Sequence, residues 1–193
     1  MMQELSLNVL DVAENSVRAG ATLIEITVEE DTAADLLAIT IADNGKGMTE
    51  EQVRQVTGPF FTTRTTRRVG LGVPFFKMAA ELSGGGLQIR SQPGKGTVVT
   101  ARFGLGSIDR MPLGDMEGTI RTLVQGSPGI DFVYTRRLDG RELRMDTREF
   151  RRVLGEGIPL DDPQVLGFLE EYLRENTREL LHPGTETAEE ERA

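Results

Sequence analysis

The hydrophobic positions at the start of the chain recur with a helical period. Across residues 3–19 apolar side chains return every three or four positions, and Gly20 then supplies a helix stop. The segments 22–28 and 36–42 alternate apolar and polar residues instead, as half-buried strands do. The chain therefore predicts one helix followed by two neighbouring strands.

A long irregular stretch separates these elements from the next set. Thr49 and Gln52 have the spacing of a capping box, which predicts the start of a short helix. Residues 57–72 then lose all periodicity, and loops of that length are usually functional. The pattern next predicts a helix over 73–82 and strands over 87–91 and 97–103.

Beyond Gly106 the pattern predicts a smaller set of elements. The pair Asp139-Gly140 is a strong hairpin signal between two apolar runs. Asp162 followed by Pro163 predicts the N-terminus of a long helix with one apolar stripe. The predicted elements are helices over 115–125, over 147–154 and from 163 onward, and strands over 130–137 and 141–145.

The length of the chain and its apolar content limit the number of domains. A chain of 193 residues with 38% apolar residues suffices for one principal core and a small appended module. We expect a domain over residues 1–106, an α+β extension over 107–183 and an acidic disordered tail over 184–193. The extension shows no pattern for chemistry, and we expect it to regulate the domain or dock a partner.

The charge distribution disfavours a nucleic-acid-binding protein. The net charge is −9, and residues 1–106 carry 10 basic and 12 acidic residues, which leaves 12 basic and 19 acidic for the rest. A polyanion-binding protein usually has the opposite balance. The arginine-rich run 136–152 also contains four acids, which favours a solvated surface over a nucleic-acid contact.

The composition also bears on compartment and covalent chemistry. The chain has no Cys, so it has neither disulfides nor a thiolate metal site. Its N-terminus lacks a basic stretch, and no apolar run approaches the ~20 residues that span a bilayer. We expect a cytoplasmic protein without membrane contact.

Four clusters of polar residues and glycines lie between the predicted elements. They are Glu14-Asn15-Ser16-Val17-Arg18-Ala19-Gly20-Ala21-Thr22, Asp43-Asn44-Gly45-Lys46-Gly47-Met48, Gly70-Leu71-Gly72 and Gly94-Lys95-Gly96-Thr97. In this order and spacing they resemble the four ATP-binding boxes of the GHKL superfamily, which includes gyrase, heat-shock chaperone, histidine-kinase and mismatch-repair ATPases. Each box alone is a weak motif, but four in order over about 85 residues are specific.

The resemblance implies a Bergerat fold that binds ATP and Mg²⁺. This fold is a two-layer α/β sandwich, a mixed sheet covered on one face by helices. Residues 59–63, Pro-Phe-Phe-Thr-Thr, resemble the F box of the superfamily, so residues 57–69 are expected to form a mobile lid over ATP. The small α+β extension then follows this domain.

The resemblance also implies a role for each matching residue. Asn15 is expected to hold Mg²⁺, because an amide oxygen is a hard ligand that adds no charge beside phosphates. Asp43 is expected to accept a hydrogen bond from the adenine amino group, supported by the Thr97 hydroxyl. The nucleotide-binding residues that it implies are Asn15, Arg18, Asp43, Gly45, Gly47, Met48, Phe60, Thr62, Thr63, Gly70, Leu71, Gly72 and Thr97.

Asp11 departs from the family pattern. Hydrolytic members have a Glu four residues before the Mg²⁺-binding Asn, and the matching residue here is the shorter Asp11. Because general-base geometry is strict, the missing methylene is expected to slow hydrolysis by about tenfold or more. Asp11 is the candidate catalytic residue, and both slow hydrolysis and phosphoryl transfer to a protein stay open.

Other charged residues have two interpretations. Arg64, Arg67 and Arg68 suit a clamp on the γ-phosphate or a solvated loop equally well. A solvent-facing position and a contact with phosphate are equally compatible with Lys46. His182 is the sole histidine, and its place directly before Pro-Gly is typical of a helix end rather than a phosphoacceptor.

Three functional hypotheses follow from this interpretation. The first is a histidine-kinase-like or anti-sigma-type kinase that phosphorylates a protein partner in trans. The second is an ATP-gated binding switch with little or no chemistry. The third is a mismatch-repair-like DNA ATPase, which the acidic charge opposes. The partner or phosphoacceptor is unknown, and a homodimer stays open.

Overall fold

The structure, a computed structural model, describes residues 4–57, 72–155 and 157–184. Residues 58–69 of the predicted lid, with Phe60, Thr62 and Thr63, lie outside the described residues. So do Gly70 and Leu71 of the third cluster and the tail after Gly184. The helices are α1 (Leu5–Arg18), α2 (Glu50–Thr57), α3 (Gly72–Leu82), α4 (Met116–Gly126), α5 (Thr147–Leu154) and α6 (Pro163–Leu181). The strands are β1 (Leu23–Asp31), β2 (Leu36–Asp43), β3 (Gly86–Gln92), β4 (Gly96–Gly104), β5 (Asp131–Leu138) and β6 (Arg141–Asp146).

The strands form one six-stranded mixed sheet in the order β3-β4-β2-β1-β5-β6. Strand β1 pairs antiparallel with β2 on one side and parallel with β5 on the other. The other described pairs, β2 with β4, β3 with β4 and β5 with β6, are antiparallel. The segment after residue 106 therefore adds two strands to the sheet of the first segment.

Alternate residues of the strands point to opposite faces of the sheet. On one face Ile24, Ile26 and Val28 of β1 are buried against a layer formed by α1, α3, α4 and α6. We call this side the helical face. On the other, Glu25 and Glu29 of the same strand are exposed, and we call this side the open face. The predicted sandwich with helices over one face is confirmed.

Local sequence signals fix the ends of several elements. Thr49 and Gln52 exchange the two hydrogen bonds of the predicted capping box, at 2.9 and 3.3 Å. The Asp162 carboxylate accepts from the backbone N–H of Gln164 at 2.8 Å, with Pro163 at the first helical position. His182 caps the C-terminus of α6, as its sequence context predicts.

The helices of the described residues do not include a membrane span. None of them combines the length and the apolar composition that crossing a bilayer requires.

Candidate functional site

A cavity of about 240 Å³ opens on the helical face beside α1 and the ends of β2, β3 and β4. Its lining combines apolar side chains with a few polar groups, as small-molecule sites do. The lining residues are Val12, Asn15, Ser16, Arg18, Ala19, Asp43, Lys46, Gly47, Met48, Val56, Val73, Ile89, Thr97 and Val99. Six of the predicted nucleotide-binding residues, Asn15, Arg18, Asp43, Gly47, Met48 and Thr97, are thus brought together.

The Asp43 carboxylate is held in a fixed orientation at the end of β2. One oxygen accepts a 2.6 Å hydrogen bond from the Ser16 hydroxyl of α1, and the other accepts from the Gly45 backbone N–H at 2.8 Å. A carboxylate offers about four acceptor positions, so at least one stays available to a ligand. Because an ionised carboxylate only accepts, this group selects a ligand that donates, such as an amino group.

The turn after Asp43 approaches neighbouring backbone so closely that it needs glycine. Gly47 has a φ of +66°, and a Cβ atom there would overlap the carbonyl of Gln92. Gly96 has a φ of +92°, and its Cβ would overlap the carbonyl of Asp43. The two predicted glycine turns therefore pack against each other, and the 2.8 Å hydrogen bond from Gly94 N–H to the Lys46 carbonyl joins them.

Asn44 anchors the same turn to the start of β1. Its side-chain oxygen accepts from the backbone N–H groups of Thr22 and Leu23 at 2.9 and 3.0 Å, and its amide donates to the Thr22 hydroxyl at 2.9 Å. One contact is with the first residue of β1 and two are with Thr22 just before it, so Asn44 positions Asp43 and does not itself line the cavity.

A row of hydroxyl groups lies beside Asp43 on the helical face. Thr97 is the register partner of Asp43 across β2 and β4, and Ser91 is the partner of Thr97 across β3 and β4. The Ser91 hydroxyl lies 2.8 Å from the Thr97 hydroxyl and accepts from the Met48 N–H at 2.8 Å. The strand register therefore places Thr97 next to Asp43. Among the described residues, the Thr97 hydroxyl forms its hydrogen bond with Ser91.

Asn15 and Arg18 lie together at the rim of the cavity, one turn apart on α1. Arg18 donates to the Asn15 side-chain oxygen at 3.0 Å and to the Glu14 carboxylate at 2.7 Å. The Arg18 side chain is 56% exposed, so these exposed contacts contribute little to stability. The guanidinium is free to turn toward an anion, which would release the Asn15 oxygen for a cation.

Asp11 lies on α1 against the first residue of α3. A side chain at Gly72 would overlap the Asp11 carboxylate, so Gly72 makes room for it. Asp11 and Gly72 are not among the residues that line the described cavity, whereas Val73 is. The buried residue Gly45 supports Asp43 from behind and also does not line it.

Sequence reasoning missed several residues of this site. Ser16 directly follows Asn15 in the first of the four clusters, but the sequence predicted no role for its hydroxyl. Ser91 stands at the end of β3 with no motif around it, so only the strand register reveals it. The missed apolar lining residues are Val12, Val56, Val73, Ile89 and Val99.

The site combines an acceptor in the cavity with two cations, Arg18 and Lys46, among its lining residues. This arrangement, on a mixed sheet with helices over one face, suits a ligand that carries both a hydrogen-bond donor and anionic groups, as a nucleotide does. The family model of the histidine kinase-, DNA gyrase B-, and HSP90-like ATPases matches residues 1–107. That is more than half of the chain, and the chain belongs to this family.

Bacterial sensor kinases are among the curated relatives. The sensor protein kinase FleS of Pseudomonas aeruginosa is 39% identical over 92 residues, which are 48% of this chain and 23% of FleS. The sensor histidine kinase ZraS of Salmonella typhi is 34% identical over 92 residues, which are 47% of this chain and 20% of ZraS. The chain thus spans about a fifth of the length of these relatives.

Among solved structures, the N-terminal domain of a DNA repair protein is similar to this chain with a TM-score of 0.51. The match covers 81% of this chain and 58% of that chain at 14% sequence identity. An identity this low shows a shared fold and nothing about activity.

Proposed function

We propose that the protein binds ATP with Mg²⁺ in this cavity and phosphorylates a partner protein in trans. The observation that carries the proposal is the Asp43 carboxylate, fixed between Ser16 and Gly45 and open to the cavity. The kinases named among the relatives support transfer to a protein over mechanical use of ATP.

Asp43 provides the base selectivity of the proposed site. Adenine presents an amino group where guanine presents a carbonyl oxygen, and only the amino group donates to a carboxylate. Guanine would leave the held carboxylate without a donor and opposite another acceptor, which costs far more than the loss of one contact. The apolar side chains of Val12, Ile89 and Val99 suit the faces of a planar base.

The rim of the cavity provides for phosphate and metal. Arg18 and Lys46 are the cations that line it, and each can pair with phosphate oxygens. Among the described residues no group of three or more His, Cys, Asp or Glu is placed to hold a metal, so Mg²⁺ would depend on the Asn15 oxygen and phosphate oxygens. Bound ATP supplies the phosphoryl group and Mg²⁺ neutralises its charge.

Within this proposal Asp11 takes part in proton transfer near the phosphates of bound ATP. It lies beside the start of α3, at the end of the helix where anions bind. Its short side chain, packed beside Gly72, disfavours activation of water and leaves transfer to an external acceptor as the main reaction.

A second candidate function is an ATP-gated binding switch. The same packing of Asp11 against Gly72 favours it, because a carboxylate too far from the γ-phosphate would leave ATP bound but unreacted. In that case nucleotide binding itself would change the affinity for a partner.

Calorimetric titration of ATP and Mg²⁺ tests the binding step. The wild type is expected to bind ATP in preference to GTP, and Asp43→Asn and Asn15→Ala to weaken binding by about tenfold or more. Asp109→Asn is the matched control, because Asp109 is exposed and has no side-chain hydrogen bond or ion pair within the described residues. Equal ATP affinity in all four proteins would refute the site.

Transfer of a γ-³²P label separates the two candidate functions. The protein is incubated with labelled ATP and fractions of cell extract, and Asp43→Asn serves as the binding-deficient control. A labelled partner that disappears with Asp43→Asn supports the kinase, and Asp11→Asn then shows whether Asp11 takes part in transfer. Intact ATP in every fraction, despite tight binding, supports the switch.

A further inference from the structure

Three hydrogen-bonding groups surround the Ser91 hydroxyl beside the cavity. The hydroxyl donates to the Gly96 carbonyl oxygen at 2.9 Å and accepts from the backbone N–H of Met48 at 2.8 Å. The Thr97 hydroxyl lies 2.8 Å away. A serine hydroxyl has one proton to donate and two lone pairs that accept, so these three contacts use its whole hydrogen-bonding capacity.

The other two contacts of Ser91 fix the direction of its hydrogen bond with Thr97. A carbonyl oxygen can only accept, so the Ser91 proton points to Gly96. If Ser91 donated to Thr97 instead, the Ser91 and Gly96 oxygens would face each other at 2.9 Å without a proton between them, which is unfavourable. Ser91 therefore accepts, and the Thr97 hydroxyl is the donor.

The Thr97 hydroxyl then has no proton left for a ligand. Thr97 lines the cavity, whereas Ser91 is not among the lining residues. Within the part of the chain that the structure describes, no hydrogen bond joins the Thr97 hydroxyl to Asp43, although the two residues are register partners. Both lone pairs of the Thr97 oxygen stay available, so toward a ligand this hydroxyl acts as an acceptor.

We infer that Ser91 is a positioning residue that makes the Thr97 hydroxyl an acceptor and so strengthens selection of an amino group over a carbonyl oxygen. The inference rests on the proposed function, because it assigns a second selecting group to the same cavity. Asp43 and Thr97 then present acceptor oxygens from paired positions of β2 and β4. An adenine amino group has two N–H donors for these oxygens, whereas the carbonyl oxygen of a 6-oxo purine has none.

A freely rotating hydroxyl would select less strictly. Without Ser91, the Thr97 hydroxyl can turn its proton toward the cavity and donate to a carbonyl oxygen of the ligand. That hydrogen bond would offset part of the repulsion between the same oxygen and the Asp43 carboxylate. By accepting the Thr97 proton, Ser91 removes this alternative from outside the cavity lining.

The ratio of ATP affinity to ITP affinity, measured by calorimetry with Mg²⁺, tests the inference. ITP carries a 6-oxo group in place of the amino group, and the wild type is expected to prefer ATP by at least about 100-fold. Ser91→Ala is expected to lower this ratio by at least about fivefold, because the released Thr97 hydroxyl can donate to ITP. Loss of the Met48 contact weakens the binding of both nucleotides, so it cancels in the ratio.

A double variant shows whether Ser91 acts through Thr97. Thr97→Val keeps the branched shape and removes the hydroxyl, so it is expected to lower the ratio by itself. Adding Ser91→Ala to Thr97→Val should then change the ratio no further, because the group on which Ser91 acts is gone. Ser91→Thr keeps a hydroxyl at this position and should retain the wild-type ratio.

Thr100→Val is the matched control on the same strand. It removes the hydroxyl that lies 3.3 Å from the Thr40 hydroxyl on the open face, so it is expected to leave the ratio unchanged. If Ser91→Ala fails to fold by circular dichroism, Ser91→Cys replaces it, because a thiol is only a weak donor and acceptor.

The possible outcomes separate this inference from the proposed function. An unchanged ratio in Ser91→Ala, or an equal effect of Ser91→Ala in the Thr97→Val background, would overturn the inference and leave the proposed function standing. A wild type that binds neither ATP nor ITP would refute the proposed function, and the inference with it.

Discussion

In the proposed function, the orientation of one carboxylate governs which base the cavity accepts. Asp43 makes its contacts through both oxygens, to a helix on one side and to its own turn on the other. The sequence alone selected Gly45 for contact with the nucleotide but did not select Ser16, because the hydrogen bond from Ser16 to Asp43 spans 27 positions. Motif spacing thus predicts the carboxylate that lines the cavity, but not the helix residue that orients it.

Removing the Ser16 hydroxyl is expected to weaken ATP binding without unfolding the protein. Ser16→Ala deletes a charge-assisted hydrogen bond worth about 1–2 kcal/mol, so ATP affinity falls roughly 5- to 30-fold in calorimetry. Ser6→Ala is the control, because this buried serine of the same helix bonds to Glu4, not to Asp43. Equal loss in both variants would mean that the effect is structural.

Asp146 gives the protein a pH-dependent contribution to stability. The hydrogen bond from the Arg148 side chain lowers the pKa of Asp146 below its usual range. A depressed pKa means stabilisation that is present above the unfolded pKa of about 4 and is lost as the pH falls through the folded pKa. Asp146→Asn is expected to lower the free energy of unfolding by roughly 1–3 kcal/mol at pH 7.

Denaturant unfolding at several pH values checks this prediction. The difference in the free energy of unfolding between the wild type and Asp146→Asn should decrease as the pH falls from about 5 toward about 3. Asp109→Asn, at an exposed position, should show no difference at any pH. If the difference in the free energy of unfolding between the wild type and Asp146→Asn stayed constant with pH, the lowered pKa of Asp146 would not be its cause.

At the scale of elements, local patterns predicted where helices and strands lie. Periodicity identified the buried stripe of α1, and the capping box placed the start of α2. Periodicity reports which side of a strand is buried but not which strand lies beside it. The parallel pairing of β1 with β5 joins residues more than a hundred positions apart, and no local signal in either strand specifies it.

The contact between the two glycine turns is an element-scale constraint that mutation can measure. Gly96→Ala forces a Cβ into the Asp43 carbonyl and keeps a positive φ, so we expect a loss of about 3 kcal/mol or more in the free energy of unfolding. Gly94→Ala is the matched control, since Gly94 also has a positive φ but open space around it.

The two variants separate backbone strain from overlap. Gly94→Ala is expected to cost only about 1–2 kcal/mol, the cost of a left-handed conformation. Thermal unfolding should therefore rank the wild type above Gly94→Ala and Gly94→Ala above Gly96→Ala. Equal losses would show that the conformation alone, and not the close approach, requires glycine at 96.

At the scale of the whole molecule, the first segment depends on the second. Eight register pairs join β1 to β5, and α4 packs on α1. A chain that ends at Gly106 would expose the edge of β1 that β5 covers and the surface of α1 that α4 covers. We expect the full chain to unfold in one cooperative thermal transition, followed by circular dichroism, and the shortened chain to lack that transition.

The full chain with Arg110→Ala is a control for changes in the connecting segment. Arg110 contacts the carbonyls of Leu105 and Met111, so its loss disturbs the linker and leaves β5 in place. A chain ending at Gly106 that unfolds cooperatively, with a midpoint near that of the full chain, would show that the first segment is an independent domain.

The order of synthesis gives the parallel pairing a further consequence. On the ribosome β1 and β2 emerge about a hundred residues before β5, so β1 is an uncovered strand edge while the chain grows. Such an edge pairs readily with other nascent chains. The sequence of β1 is partly polar, and Glu25, Glu29 and Glu30 repel the same residues of another chain. This repulsion disfavours pairing between nascent chains until β5 has been synthesised.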